Sequence, residues 1–257
     1  MIAHRLQLPM SGGLVARVVL TGRGSTASGG SSRWPYASAN LASHVGDEAE
    51  AVLANRSALA EALGVPAAAM TFMHPDHGRG VAVVTHGTGV APGAELREVD
   101  ALVTATPGVG LVALAADCVP VLLADSAARV VAAVHSGWRG LAVDVVGAAV
   151  AAMGRLGAQP ASLQAVLGPA ICGTCYPVPP ERAAEVGALR PEAVRTAPDG
   201  QPALDVRAGL LARLDELGVA ATAVGGCTAE DPEHWFSHRR DGRTGRQGGA
   251  VAIVAAA

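Results

Sequence analysis

Short apolar runs rich in valine, alanine and leucine recur along this chain between small and polar residues, and between them lie longer stretches whose apolar positions return with helical spacing. The runs at 13–21, 81–85, 99–104, 109–115, 163–167, 219–224 and 250–255 read as strands. Four stretches read as helices. The first opens at Asp47 as N-cap with Glu50 three positions later, carries Val52, Leu59 and Leu63 as its stripe, and ends at Gly64 before Pro66. The second covers 141–153 with Gly154 close behind, and the third 181–189. The fourth starts at Asp205, presents Leu210, Leu211, Leu214 and Leu217, and closes at Gly218. A Gly/Ser-rich loop fills 22–32. Strands and helices interleave without strict alternation, no repeat is visible, and no charged linker interrupts them. The pattern therefore predicts an α/β (α+β) fold, a single layered domain over 1–257 with mixed β-sheets flanked by helices.

Two more apolar runs, Val119–Ala124 and Arg129–Val134, flank the tetrad Asp125-Ser126-Ala127-Ala128 and predict a hairpin. If Ala124 faces Arg129, then Cys118 faces His135 across the ladder, with Cβ atoms roughly 4.5–5.5 Å apart. Pro120 cannot donate to a ladder, so an edge position or a bulge is expected there. A thiol and an imidazole so placed, both at polar strand ends, are the beginning of a metal site or of a nucleophile–base pair.

Composition narrows the chemistry. The 257 residues are half hydrophobic and include only seven aromatics, so the core must be built of Ala, Val and Leu. No apolar run approaches the ~20 residues of a membrane span. The start MIAHRLQLPMSGG lacks the pattern of a secretion signal, and a soluble cytoplasmic protein is expected. With a net charge of −3 and no long positive stretch, nucleic acid is not an expected partner. All 19 basic residues are arginine, which excludes Schiff-base and P-loop lysine chemistry. Four cysteines occur; Cys172-Gly173-Thr174-Cys175 is a C-x-x-C, but no second close pair completes a zinc motif, and it reads as incidental. The deaminase signature H-x-E with P-C-x-x-C is absent.

A catalytic zinc uses three protein ligands and keeps a position open. His74, His77 and His86 are the candidates for the third ligand. His77, directly before the strand at 81–85, is favoured because it too lies at a strand end. Towards the C-terminus Arg239, Arg240, Arg243 and Arg246 crowd a glycine-rich stretch. Planar guanidinium forks among glycines suit a phosphate.

These residues resemble the YfiH family, also called the laccase-domain or multicopper polyphenol oxidase family. The resemblance runs through NLASHVGDEAEAVLANRSAL at 40–59, HGRGVAVV at 77–84, VDALVT at 99–104, ADCVPVLLAD at 116–125, VAAVHSGWRGLA at 131–142, LGPAICGTCYPV at 167–178 and FSHRRDGRTGRQGGAVAI at 236–253. It implies a metal, usually zinc with copper as the alternative, held by His77, Cys118 and His135. It also implies phosphorolysis of adenosine, inosine, guanosine and methylthioadenosine, with adenosine deamination alongside. Purine nucleoside and phosphate would be the partners. Arg23, Arg139 and the 239–246 cluster (Arg239, Arg240, Arg243 and Arg246) are candidates to hold phosphate, and Asn40 and His44 are candidate substrate contacts by motif position. Two departures bear on substrate preference: Pro75 stands where relatives often have Gln, and Tyr176-Pro177-Val178 replaces aromatic-Glu-Val.

Two other enzymatic readings compete. In one, Cys118 is the nucleophile of a hydrolase and His135 its base. In the other, the chain is a copper-dependent phenol oxidase, which is physically weaker: such enzymes surround several coppers with about ten imidazoles, and this chain has eight histidines, scattered. A non-enzymatic binding module fits an open metal site at strand ends less well.

Overall fold

The computed structural model describes residues 1–24, 29–85 and 95–256. In chain order the elements are β1 (Ile2–Met10), β2 (Leu14–Thr21), α1 (Ala49–Leu63), β3 (Met70–Met73), β4 (Val81–Val83), β5 (Glu95–Leu96), β6 (Ala101–Thr104), β7 (Gly110–Ala115), β8 (Val119–Asp125) and β9 (Val130–Ser136). They continue with α2 (Trp138–Ala142), α3 (Val145–Arg155), β10 (Leu163–Leu167), α4 (Pro180–Leu189), β11 (Val194–Thr196), β12 (Pro202–Leu204), α5 (Val206–Glu216), β13 (Ala220–Ala223), α6 (His238–Asp241) and β14 (Gln247–Ala255).

The side-chain alternation of the strands builds three cores. One six-stranded mixed sheet runs β1-β2-β14-β7-β3-β5 and a second runs β13-β10-β8-β9-β6-β4. Leu111, Ala113, Val251 and Ile253 of the first sheet meet Leu122, Ala124, Val131 and Ala133 of the second in a shared inner core. The intervening residues point outward. Val112, Ala250 and Ala252 receive Leu59 and Leu63 of α1. Val121, Leu123, Ala132 and Val134 receive α3 and α5 through Val146, Ala149, Met153, Leu210 and Leu214. Helix, sheet, sheet, helix is thus the layer order, a mixed α/β fold as the pattern implied. With few aromatics available, small side chains allow the two sheets to pack over a core of Leu, Val, Ile and Ala.

The hairpin forms with a different register from the one expected. Asp125 pairs with Val130 and Pro120 with His135, so the loop is Ser126–Arg129, its last residue left-handed (φ 56). The slip equals two residues. Because strand side chains alternate with period two, every residue keeps its face. By the same parity, His135 points to the inner side between the sheets, as Val131 and Ala133 do. Pro120 produces neither an edge nor a bulge, since β8 lies between β10 and β9. Its carbonyl accepts from Gly168 N at 2.8 Å, just beyond the last β10 pair. The donor that Pro120 lacks would have faced that same side, where the ladder has already ended.

Other expectations are corrected locally. Residues 141–153 are two helices, α2 and α3, broken at Asp144, which takes a left-handed φ of 59 and caps α3 by accepting from Gly147 N. Asp47 is not the cap of α1. Glu48 holds that position without a side-chain bond, and Asp47 accepts from Asn40 Nδ2 at 2.9 Å instead. Asp205 caps α5 as expected, accepting from Ala208 N at 2.9 Å. The pattern does not mark β1, β3, β5, β11 or β12, although β1 alternates, with Leu6, Leu8 and Met10 turned inward. Residues 25–28 of the Gly/Ser-rich loop, and the candidate ligand His86, lie outside the described residues.

Asp125 fixes the hairpin end. Fully buried, its carboxylate accepts from Ala127 N (2.8 Å), Ala128 N (2.7 Å), Gln159 N (2.9 Å) and Ser162 Oγ (2.6 Å). Burial would raise its pKa, but these donors prevail and hold it below the ordinary carboxylate value. Asp125→Ala is expected to cost about 2–4 kcal/mol in urea denaturation, because buried donors lose a charged acceptor. The sign in pH follows from the depressed folded value: the stabilisation is present above the ordinary range near ~3.9 and is lost as pH falls through the folded value. A wild-type-minus-Ala difference that persisted undiminished into strong acid would refute that role.

Candidate active site

The chain brings a thiol and two imidazoles together where the two sheets open at one end. His135 is at the end of β9, and Cys118 lies just before β8 in the crossing from one sheet to the other. His77 sits before β4 with a left-handed φ of 60. One donor atom from each lies within 4.8 Å of the others. Cys118 Sγ is 3.8 Å from His77 Nε2, and the rings of His77 and His135 meet edge to face at 4.8 Å between centroids.

Asp100, just ahead of β6, organises this group. Its buried carboxylate takes His135 Nδ1 at 2.8 Å, His77 N at 3.0 Å and Gly78 N at 2.7 Å, while its carbonyl accepts from His135 N at 2.8 Å. Two consecutive backbone donors on one carboxylate hold His77 in its unusual conformation. The bond to Nδ1 leaves His135 Nε2 as the free donor atom, the arrangement found behind metal-binding histidines. Burial would push Cys118 up and His135 down, yet each offsets that for the other. The thiol is lowered to about 6 and the imidazole, helped by Asp100, raised to about 9. A thiolate beside an imidazolium is the charge state that a cation displacing one proton would find ready.

The donor set fits a divalent transition ion. One soft thiolate and two imidazoles make three protein ligands, and the cavity in front leaves room for a fourth position. Gly137 supports the fit: a Cβ there would stand 2.8 Å from Cys118 Sγ and 3.3 Å from His77 Cδ2. The chain keeps this cradle clear although the backbone of Gly137 is ordinary extended conformation (φ −90).

The cavity measures about 370 Å³, inside the ~300–1,000 Å³ range of small-molecule sites. Besides the trio, its walls include His44, Trp138, Tyr176, His238, Arg239 and Arg246. Of the residues expected from the sequence, His77, Cys118, His135, His44, Arg239 and Arg246 line this cavity. Arg23, Asn40, Arg139 and Arg240 do not line it. Asn40 is fully buried, with its amide spent on Ala42 O, Asp47 and the backbone N–H groups of Ala42 and Arg246. Arg240 grips both oxygens of Asp241 at 2.7 Å and three carbonyls besides. Arg23 bonds Ala37 O and pairs with Asp241, and Arg139 lies over the Trp138 ring.

The two arginines at the cavity differ. Arg239 donates from Nη1 to Pro177 O, lies 4.7 Å over the Tyr176 ring, and gives its backbone N–H to Asp117 Oδ2 at 2.6 Å. Arg246 bonds Thr244 O and Gly245 O, and among the described residues neither it nor Arg239 pairs with a carboxylate. Burial lowers the pKa of Arg246, so an anion in the cavity would offset its desolvation. Beside the cavity, Glu95 ties His44 (2.9 Å), His74 (3.1 Å) and Arg56 (2.5 Å) together, which fixes His44 and takes His74 into a separate cluster. Asp100 was present in the 99–104 motif as an acid at a strand start, the one signal that could have marked it. Glu95 carried no such mark.

A family model described as multi-copper polyphenol oxidoreductase laccase matches residues 23–254. The chain belongs to that family. A purine nucleoside phosphorylase of Streptomyces coelicolor is 50% identical over 224 residues, covering 87% of this chain and 91% of that protein. Another, of Corynebacterium glutamicum, is 42% identical over 228 residues, covering 88% and 92%. Among solved structures, the YfiH protein of Bacillus licheniformis superposes with a TM-score of 0.84 at 27% identity, over 96% of this chain and 98% of that one. A Neisseria meningitidis protein of the DUF152 family gives 0.82 at 31%, over 98% and 100%. No helix among the described residues is long and apolar enough to cross a membrane.

Gly137→Ala tests whether the three donors share an ion. Zinc affinity, read by chelator competition, is expected to fall about 10–100-fold, with unfolding free energy lowered by about 1–3 kcal/mol, the cost of overpacking a buried position. Unchanged affinity would mean that the cradle next to Cys118 is not where zinc binds.

Proposed function

We propose that this protein is a zinc-dependent purine nucleoside phosphorylase built as one domain over 1–257. Its substrates would be adenosine, inosine, guanosine and methylthioadenosine, with adenosine deamination as a second activity. The observation that carries the reading is a His77–Cys118–His135 donor set, oriented by Asp100, facing the same cavity as two arginines without carboxylate partners. Relatives at up to 50% identity named purine nucleoside phosphorylase support it.

The roles follow from the chemistry of phosphorolysis. A phosphate oxygen forms a bond to the anomeric carbon while the glycosidic bond breaks, and its electron pair leaves with the purine, which takes up a proton. Arg239 and Arg246 would hold the phosphate and screen its charge from the departing base. His44 and His238 line the cavity and would be the side chains that pass a proton to the departing purine. Trp138, Tyr176, Leu114 and Ile171 offer apolar surface to a flat ring. His77, Cys118 and His135 would hold the zinc, which when bound supplies Lewis-acid polarisation of an oxygen in the cavity. Asp100 keeps Nδ1 of His135 protonated, so that the opposite nitrogen stays available.

One observation favours a second reading. Cys118, His135 and Asp100 form a thiol–imidazole–carboxylate chain with a lowered thiol pKa, the logic of a cysteine hydrolase. His77 argues against it, since its Nε2 at 3.8 Å from the sulfur is a third donor that a nucleophile–base pair does not require. Copper oxidation of phenols has less support. Among the described residues, the remaining close imidazole pair is His44 and His74, and Glu95 already holds both.

The decisive assay incubates protein of measured metal content with inosine, with and without phosphate, and in parallel with adenosine in phosphate-free buffer. Hypoxanthine release that requires phosphate is expected, together with slower ammonia release from adenosine. Arg246→Ala should raise the KM for phosphate about 10–100-fold, as for loss of a charged hydrogen bond, while the KM for inosine moves little. Base release independent of phosphate would sink the proposal. A Cys118→Ala protein that kept the full wild-type zinc content yet lost all activity would favour the hydrolase.

A further inference from the structure

Away from the cavity centre, the fold completes the cysteine pair that looked incidental in the sequence. Cys172 and Cys175 lie in the tight turn after β10, where Cys175 N donates to Cys172 O at 3.1 Å. Cys227 arrives on the loop after β13, held alongside by a bridge between Ala170 and Cys227 and by Thr228 N donating to Ala170 O at 3.1 Å. Glu230 follows on the same loop. Its Oε1 is 3.3 Å from Cys175 Sγ and 3.8 Å from Cys172 Sγ. One donor atom from each of the four residues lies within 4.8 Å of the rest, and all three thiols are free.

We propose that Cys172, Cys175, Cys227 and Glu230 form a second metal site, structural rather than catalytic, for a thiophilic divalent cation such as zinc. Four ligands close a tetrahedron. With metal–sulfur bonds of ~2.3 Å and metal–oxygen bonds of ~2.0–2.2 Å, the edges of that tetrahedron are about 3.5–3.8 Å. The two sulfur–oxygen separations here bracket that span. Outer bonds are in place as well: Cys172 N donates to Cys227 Sγ at 3.3 Å, and the Thr174 hydroxyl lies 3.0 Å from Cys172 Sγ.

The site has a purpose in the fold. It would clamp the turn that carries Ile171 and Tyr176, both in the cavity wall, to the loop that carries Thr228. Thr228 Oγ1 donates to Asp117 Oδ1 at 2.6 Å, and Asp117, next to Cys118, is left-handed (φ 91) and also receives Arg239 N and Ile171 N. An ion here would therefore stiffen one side of the cavity from behind. A disulfide between two of the thiols is the competing fate of the same cluster, and the test separates them.

The full-length chain and three variants, Cys118→Ala, Cys227→Ser and Cys118→Ala with Cys227→Ser, are loaded with zinc and desalted. Zinc per chain is then measured by mass spectrometry, and thiols are titrated in denaturant. Two zinc ions per chain are expected in the wild type, about one in each single variant and none in the double. All four cysteines should titrate as thiols. Cobalt added to Cys118→Ala should give thiolate-to-cobalt charge-transfer absorption that Glu230→Gln weakens, a readout that does not require Cys227→Ser to fold. Should the cavity trio hold no metal, the wild type would carry one zinc that survives Cys118→Ala, so failure of the cavity site is distinguishable from failure of this one. The proposal is overturned if Cys118→Ala retains no zinc and shows no cobalt–thiolate band, or if two of the four thiols are missing in the wild type.

Discussion

The carboxylate of Asp100 is the contact on which the rest of the site depends. It sits at the start of β6, fully buried, with donors from the end of β9 and from the turn before β4. Isolated in that environment it would be costly, and its three donors make it stable and ionised, with a pKa below the usual range. The same bonds orient one imidazole by its ring and the other by its backbone. Position and protonation state of the two histidines are thus set together. Cys118 needs no such anchor, because the crossing from β7 to β8 delivers it to the mouth between the sheets.

The sequence made much of this legible because hydrophobic alternation decides which face a residue occupies before it decides which partner it meets. The hairpin register was off by two, an even slip, so Cys118 and His135 remained on the side expected. A slip of one would have put the imidazole in the outer core among helices. Pro120 misled in the other direction. A proline suggests an edge, but here β10 simply stops before its level. Helix α1 was found with its cap misplaced by one, since Asp47 had a better donor in Asn40 than in its own helix. What stayed hidden were contacts across long separations: Asp100, Glu95 with its two histidines, and Cys227 beside the C-x-x-C. A pair in sequence looks unfinished until the fold supplies the rest.

The arginines show how differently side chains of one motif are engaged. The chain has no lysine, so every cationic task, structural or chemical, falls to guanidinium groups. A guanidinium whose fork is filled by carboxylate and carbonyl oxygens cannot also grip a ligand. Arg240 is of that kind, as is Arg56, which is bonded to Glu95 and Leu41 O. Arg239 and Arg246 border the cavity and hold backbone carbonyls through Nη1. Arg239, Arg240 and Arg246 therefore divide by what already occupies them, which spacing alone does not reveal.

Acidic residues carry the complementary burden. Asp100, Asp117 and Asp125 stand at the ends of strands of one sheet and each gathers donors from two other segments. Two of them flank the donor trio: Asp100 orders the histidine side, and Asp117 orders the loops behind the cysteine. A sheet end is where backbone N–H groups leave their ladders and need new acceptors. Carboxylates placed there satisfy them and bind segments that have no strand partner of their own. The cavity sits in the space left open at the end where Asp100 and Asp117 stand, and those two anions finish the ladders around it.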